Sequence, residues 1–252
     1  MCLINFQFQN HPKYKLVVAA NRDEFYGRPT KPAYFWDDEP LLLAGKDLQQ
    51  GGTWLGITKT GKFAALTNFR DPSKPETGKI SRGALVRDFL AGTQSPIDFL
   101  TALEPADYTG FNLLIVDADR LFYYSNLQGE ILEITPGTYG LSNHLLDTPW
   151  PKVVRGKRNL GEYLSSSKEV SLDALFAILA DSEEASDSDL PHTGIGLEFE
   201  RKLSAMFIKT PDYGTRSASV VLISHDGSVT FAERTFEKGD FNGEQIFNFN
   251  II

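Results

Sequence analysis

The sequence predicts an α+β fold built on mostly antiparallel sheets. Three observations carry this reading. Apolar residues alternate with a period of two in many short runs, the runs fall into an early and a late group, and helix-period segments are inserted between them.

The first run, Cys2 to Phe8, sets Cys2, Ile4, Phe6 and Phe8 against Leu3, Asn5 and Gln7, a strand pattern. Asn10-His11-Pro12-Lys13 is a turn cluster, and Lys15 to Ala20 reads as the second strand. Further strands are predicted over 53–58, 62–67, 111–116, 121–125 and 131–134. Helix spacing marks Ser81–Leu90 through Leu85, Phe89 and Leu90, and Leu172–Leu179 behind Ser171 as N-cap. Val153–Leu164 and Leu197–Ile208 are the other predicted helices. The acidic stretch Ser182–His192, ending at a proline, reads as a loop. Two long strands, Ser217–Ser224 and Ser228–Phe236, close the pattern across the turn His225-Asp226-Gly227. No repeat or low-complexity tract interrupts this, so residues 1–252 are expected to form one domain.

Composition narrows the function. A formal charge of −8 argues against a nonspecific nucleic-acid binder, which needs a basic stripe. One cysteine forbids an internal disulfide and fits a reducing, cytoplasmic setting. The opening segment does not look like a secretory signal, and no apolar run is long enough to span a bilayer, so no integral membrane association is expected. The histidines His11, His144, His192 and His225 lie in turns without metal-ligand spacing and read as solvated. No metal or cofactor is expected, and the partner is a small-molecule substrate or ligand.

The first two strands allow a geometric step. If their turn centres on Pro12, residues equidistant from it face each other: Phe8 with Leu16, Phe6 with Val18, Ile4 with Ala20. All three pairs are apolar, and the same ladder sets Cys2 opposite Arg22. A thiol of pKa about 8.5 is only partly ionised near neutrality, and a nearby cation lowers that value. Removal of Met1 would give Cys2 a free α-amino group, whose pKa of about 7.7–8 suits a base. Nucleophile and base would then share one residue.

A collinear set of segments resembles a known family. These are Asn21-Arg22-Asp23-Glu24, Gly51-Gly52-Thr53-Trp54, Leu66-Thr67-Asn68-Phe69-Arg70-Asp71, Ser81-Arg82-Gly83, Gly140-Leu141-Ser142-Asn143, Asp147-Thr148-Pro149-Trp150-Pro151-Lys152 and Gly214-Thr215-Arg216-Ser217. The chain resembles the NRDE-motif, or Transport and Golgi Organization 2, family, which is itself remotely similar to N-terminal-nucleophile (Ntn) hydrolases. That resemblance implies a four-layer αββα sandwich, two stacked sheets flanked by helices. By analogy with the choloylglycine hydrolase and penicillin V acylase group, it implies an amidohydrolase with Cys2 as nucleophile and Arg22 beside it. Asp23 or Glu24 would be the accompanying carboxylate; alternation along the strand favours Glu24 for the Cys2 face unless the strand ends at Arg22. Asn68 and Asn143 would be oxyanion donors. Arg216 would tune the thiol or bind an anionic substrate. The family resemblance implies a second reading, a non-catalytic ligand-binding or trafficking protein that handles haem or lipid on an Ntn-type scaffold, in which haem would need an axial ligand such as His144 or Cys2.

Overall fold

The computed structural model describes residues 2–73 and 80–252. Its strands form two antiparallel sheets. The first has the order β10-β1-β2-β11-β12-β13 and uses β1 (Cys2–Phe8), β2 (Tyr14–Phe25), β10 (Gly137–Leu141), β11 (Tyr213–Ser224), β12 (Ser228–Glu237) and β13 (Asp240–Asn250). The second runs from β3 to β9 in sequence order: β3 (Thr30–Phe35), β4 (Leu42–Asp47), β5 (Leu55–Thr58), β6 (Phe63–Asn68), β7 (Phe111–Asp117), β8 (Arg120–Ser125) and β9 (Ile131–Glu133).

Alternation along these strands makes three apolar layers. Ile4, Phe6 and Val18 meet Ile57, Phe63 and Leu114 between the sheets. The outer face of the second sheet, through Ala64, Leu113 and Ile115, takes Leu85 and Phe89 of α1 (Arg82–Ala91) and Phe99 of α2 (Pro96–Thr101). The outer face of the first, through Val17, Ala19 and Val220, takes Leu160 of α3 (Pro151–Ser166) and Leu175 and Phe176 of α4 (Leu172–Leu179). The central strands are therefore apolar on both faces, and the result is the αββα sandwich.

The β1–β2 register is the one derived from Pro12: Phe8 pairs with Leu16, Phe6 with Val18, Ile4 with Ala20 and Cys2 with Arg22. The helix start at Ser171 also holds, its side chain accepting from the Ala174 N–H. Two expectations need correction. Only Leu197–Lys202 (α5) is helical in the segment expected to run to Ile208. Leu203, Ala205, Met206 and Ile208 are buried all the same, and the Met206 carbonyl, outside any helix, accepts from Asn21 Nδ2. His11 is not solvated. It is buried, its Nδ1 takes the Lys13 and Tyr14 N–H groups, and its Nε2 lies 3.0 Å from the Ser167 carbonyl.

Candidate active site

Cys2 opens β1, and alternation turns its sulfur to the same face as Ile4 and Phe6, toward the space between the sheets. Beyond Ile4 the apolar packing stops and a cleft of about 580 Å³ begins, lined by residues of both sheets. Cys2, Arg22, Asp23, Asn68 and Arg216 all reach it, and Trp54 forms part of its wall. Of the predicted site residues, Asn143 alone is not on its lining.

Arg22 and Cys2 are each 8% exposed. Burial pushes the Cys2 thiol up from its ordinary value, and the Arg22 charge and a hydrogen bond from the Asp23 backbone pull it back. The guanidinium has loose partners: Nη1 lies 3.5 Å from Thr30 Oγ1, and Nη2 lies 3.7 Å from Glu24 Oε2. Glu24 is also 3.8 Å from Arg28, which binds Asp47 tightly at 2.5 Å. Acid and base thus alternate along one wall, which leaves the cleft polar without a large net charge.

Strand β2 continues to Phe25, so Glu24 shares the Cys2 face while Asp23 turns to the helix side with Asn21. There the Asp23 carboxylate accepts from Thr215 Oγ1 at 2.8 Å. Burial raises the Asp23 carboxyl, and the charge of Lys152 on α3 opposes that rise. Lys152 is 1% exposed, and burial lowers its ammonium to about 8. Arg70, paired with Glu200 at 2.9 Å and stacked on Trp150, completes this buried charge cluster beneath the start of β1.

The remaining predicted residues take distinct places. Asn68 ends β6 at the cleft. Asn143 is buried and donates from Nδ2 to the Asn68 carbonyl at 2.9 Å. Its neighbour Ser142 donates to the Cys2 carbonyl, also at 2.9 Å. Arg216 sits in a β-bulge between Thr215 and Ser217, and its Nη1 donates to the carbonyls of Phe25, Tyr26 and Arg28. It therefore clamps the turn that follows the Asn21–Glu24 motif. His144 bonds Thr148 through Nδ1 and packs between Phe69 and Trp150, off the cleft lining.

Sequence reasoning missed two charged residues. Glu233 is buried on the cleft wall, accepts the Ala33 N–H at 2.7 Å, and is pushed by burial up to about 7. Its signal was available: it continues the inward series Val229, Phe231 on β12, where a carboxylate is out of place. Lys152 likewise leads the buried face of α3 with Val153, Gly156 and Leu160. Met1, whose removal the α-amino mechanism needs, lies outside the described residues. Among the described residues no group of acids, His and Cys could hold a metal, and no helix is long and apolar enough to cross a membrane.

The chain is 40% identical to the bovine Transport and Golgi organization protein 2 homolog over 262 residues, covering 95% of each chain. It is 39% identical to the human homolog over 264 residues, covering 96% of this chain and 95% of the other. The Drosophila melanogaster protein is 28% identical over 274 residues, covering 97% of this chain and 95% of the other. Among solved structures, a conjugated bile acid hydrolase from Clostridium perfringens superposes with a TM-score of 0.57 at 11% identity, covering 100% of this chain and 92% of that one. A Caenorhabditis elegans N-acylethanolamine-hydrolyzing acid amidase ortholog gives 0.52 at 8% identity, over 88% and 92%. These two share the fold, the αββα sandwich described above. The family profile described as Transport and Golgi organisation 2 matches residues 1–238, and the chain belongs to that family.

Proposed function

We propose that this protein is an N-terminal-cysteine amidohydrolase that cleaves a small or acylated amide through Cys2. The observation that carries the reading is the place of Cys2, at the head of a central strand, opposite Arg22 and at the edge of a polar cleft. Of the two solved structures that share the fold, one is named a hydrolase and the other an acid amidase, which supports hydrolytic chemistry here.

The α-amino group of Cys2, freed by removal of Met1, takes the thiol proton. The sulfur attacks the amide carbonyl carbon, a C–S bond forms, and the carbonyl electron pair moves to oxygen. Asn68 stabilises that oxyanion from the end of β6, and Arg22 holds the thiolate. When the carbonyl re-forms, the C–N bond breaks and the leaving amine takes the proton from the α-ammonium. Water then adds to the thioester with its proton passing to the α-amine, and C–S cleavage returns the thiol and releases a carboxylic acid. Asp23, beyond Cys2 in the ladder, orients the amine.

The test is intact-mass measurement of the mature chain together with turnover on a panel of amides and thioesters, for the wild type and Cys2→Ala. Loss of Met1 and abolished turnover in the variant are expected. Turnover that survives in Cys2→Ala, or in a chain that keeps Met1, would sink the reading.

A further inference from the structure

The least explained group near Cys2 is Lys152. Its Nζ is buried and has no hydrogen-bond partner among the described residues. A buried ammonium costs several kcal/mol unless a charge compensates it. It also stands in the first turn of α3, whose positive dipole end disfavours a cation. An apolar residue would pack there at lower cost.

The packing of α3 shows what Lys152 faces. The helix runs along β1 and β10 on the outer face of the first sheet: Gly156 lies against the Asn5 side chain, and Val153 against Gly140, which pairs with Asn5. One helical turn before Gly156, the helix reaches Leu3, packed with Trp150 and Val153. Leu3 pairs with Asn21, and Asp23 is the next residue on that face of β2. Lys152 and Asp23 thus approach from two elements under the start of β1.

We propose that Lys152 is a positioning residue of the Cys2 site: its ammonium holds the Asp23 carboxylate ionised and offsets, at the Cys2 sulfur, the negative charge that Asp23 would otherwise impose. Both charges act on the thiol, Asp23 raising it and Lys152 attracting the thiolate. The other charged and titratable groups around the pair include Arg22 on β2, Arg70 and its partner Glu200, and Tyr213 on β11. This inference rests on Cys2 as the reactive group of the proposed function, yet it is tested without turnover.

The single cysteine makes the test clean, because any alkylation reports Cys2. Iodoacetamide alkylation rates are measured from pH 6 to 9.5 on the folded wild type and on Lys152→Met, Lys152→Arg, Asp23→Asn and Asp23→Asn/Lys152→Met. At pH 7, Lys152→Met is expected to slow alkylation about three- to tenfold, the effect of raising a thiol by about half a unit to one unit. The deficit should shrink above pH 8, where wild-type Lys152 loses its proton. Lys152→Arg keeps its charge there and should stay fast. Asp23→Asn should react faster than wild type, and the double variant should return near it. Wild-type rates in Lys152→Met across the range would overturn the proposal, as would a double variant as slow as Lys152→Met. If Lys152→Met does not fold, equal rates in Asp23→Asn and the double variant overturn it. A wild-type thiol that resists alkylation even at pH 9.5 overturns it outright. Failure of the hydrolase reading is seen instead in the turnover panel, with the alkylation contrasts intact.

Discussion

Asn143 donates a side-chain N–H to the backbone carbonyl of Asn68 at 2.9 Å, tying the segment after β10 to the end of β6. The Arg70 N–H returns the bond, donating to the Asn143 carbonyl at 2.7 Å. Of the two asparagines, Asn68 therefore meets the cleft and Asn143 sets its place. Asn68→Ala is expected to lower kcat by about 10²–10³ with little change in stability, as for loss of an oxyanion donor. Asn143→Ala should lower kcat and also cost about 1 kcal/mol, since it removes a buried side chain's hydrogen bond to a half-buried carbonyl. Turnover and urea unfolding of both variants distinguish the roles; full kcat in Asn143→Ala would remove it from the site.

Glu233 gives the fold a pH dependence of definite sign. Its folded carboxyl, raised from 4.5 to about 7, keeps a proton that the unfolded chain gives up. The contribution is present below the unfolded value and is lost as pH rises through the folded one. At about 1.4 kcal/mol per unit, up to about 3 kcal/mol should disappear between pH 4.5 and 7. Urea titrations at pH 5 and pH 7.5 should show this fall in the wild type and a flatter response in Glu233→Gln, which can still accept the Ala33 N–H.

Arg216 is expected to act on the turn it clamps. Arg216→Ala removes one donor from three carbonyls and should destabilise the protein by about 1–3 kcal/mol. Amide exchange at Tyr26 and Arg28 should speed up about tenfold or more, with strand β11 unaffected. Unchanged exchange in that turn would show that the clamp is dispensable.

Gly52 and Gly83 meet backbone to backbone beside the cleft, which Thr53 and Gly83 line. A Cβ on Gly52 would fall 2.5 Å from the Gly83 carbonyl carbon, and the Thr53 N–H bonds the Gly83 carbonyl at 3.1 Å. Backbone cannot rotate away as a side chain can, so Gly52→Ala should cost more than about 2 kcal/mol. Thermal unfolding would show it as a fall of several degrees.

What the sequence disclosed was set by how local the determining interactions are. The β1–β2 register follows from a short turn and three apolar pairs, so Cys2 and Arg22 could be brought together by inspection. Helix α4 was equally plain, with its own cap and its own apolar stripe. Strands β3 and β4 were hidden because Lys31 and Pro32 interrupt the alternation, and their pairing is irregular between Lys31 and Tyr34. Strand β13 is an exposed edge whose outward residues are polar or isolated, leaving Phe247 and Phe249 as weak inward markers. Asn143 and Arg216 were found as residue types, but their partners are backbone carbonyls far along the chain, which no spacing rule reveals. Lys152 and Glu233 were overlooked because a charged residue in an amphipathic run reads as solvated until its face is known.

The strand order β10-β1-β2-β11 has a consequence for how the molecule is made. The hairpin carrying Cys2 is synthesised before the rest of its sheet, and both its edges wait for strands that emerge much later, the last beginning at Tyr213. Until then the nascent chain displays unpaired, apolar strand borders of the sort that recruit chaperones or aggregate. A ribosome stalled before β11 would hold a complete thiol–guanidinium pair on a half-built sheet, so the cleft can come into being only after β11 has emerged.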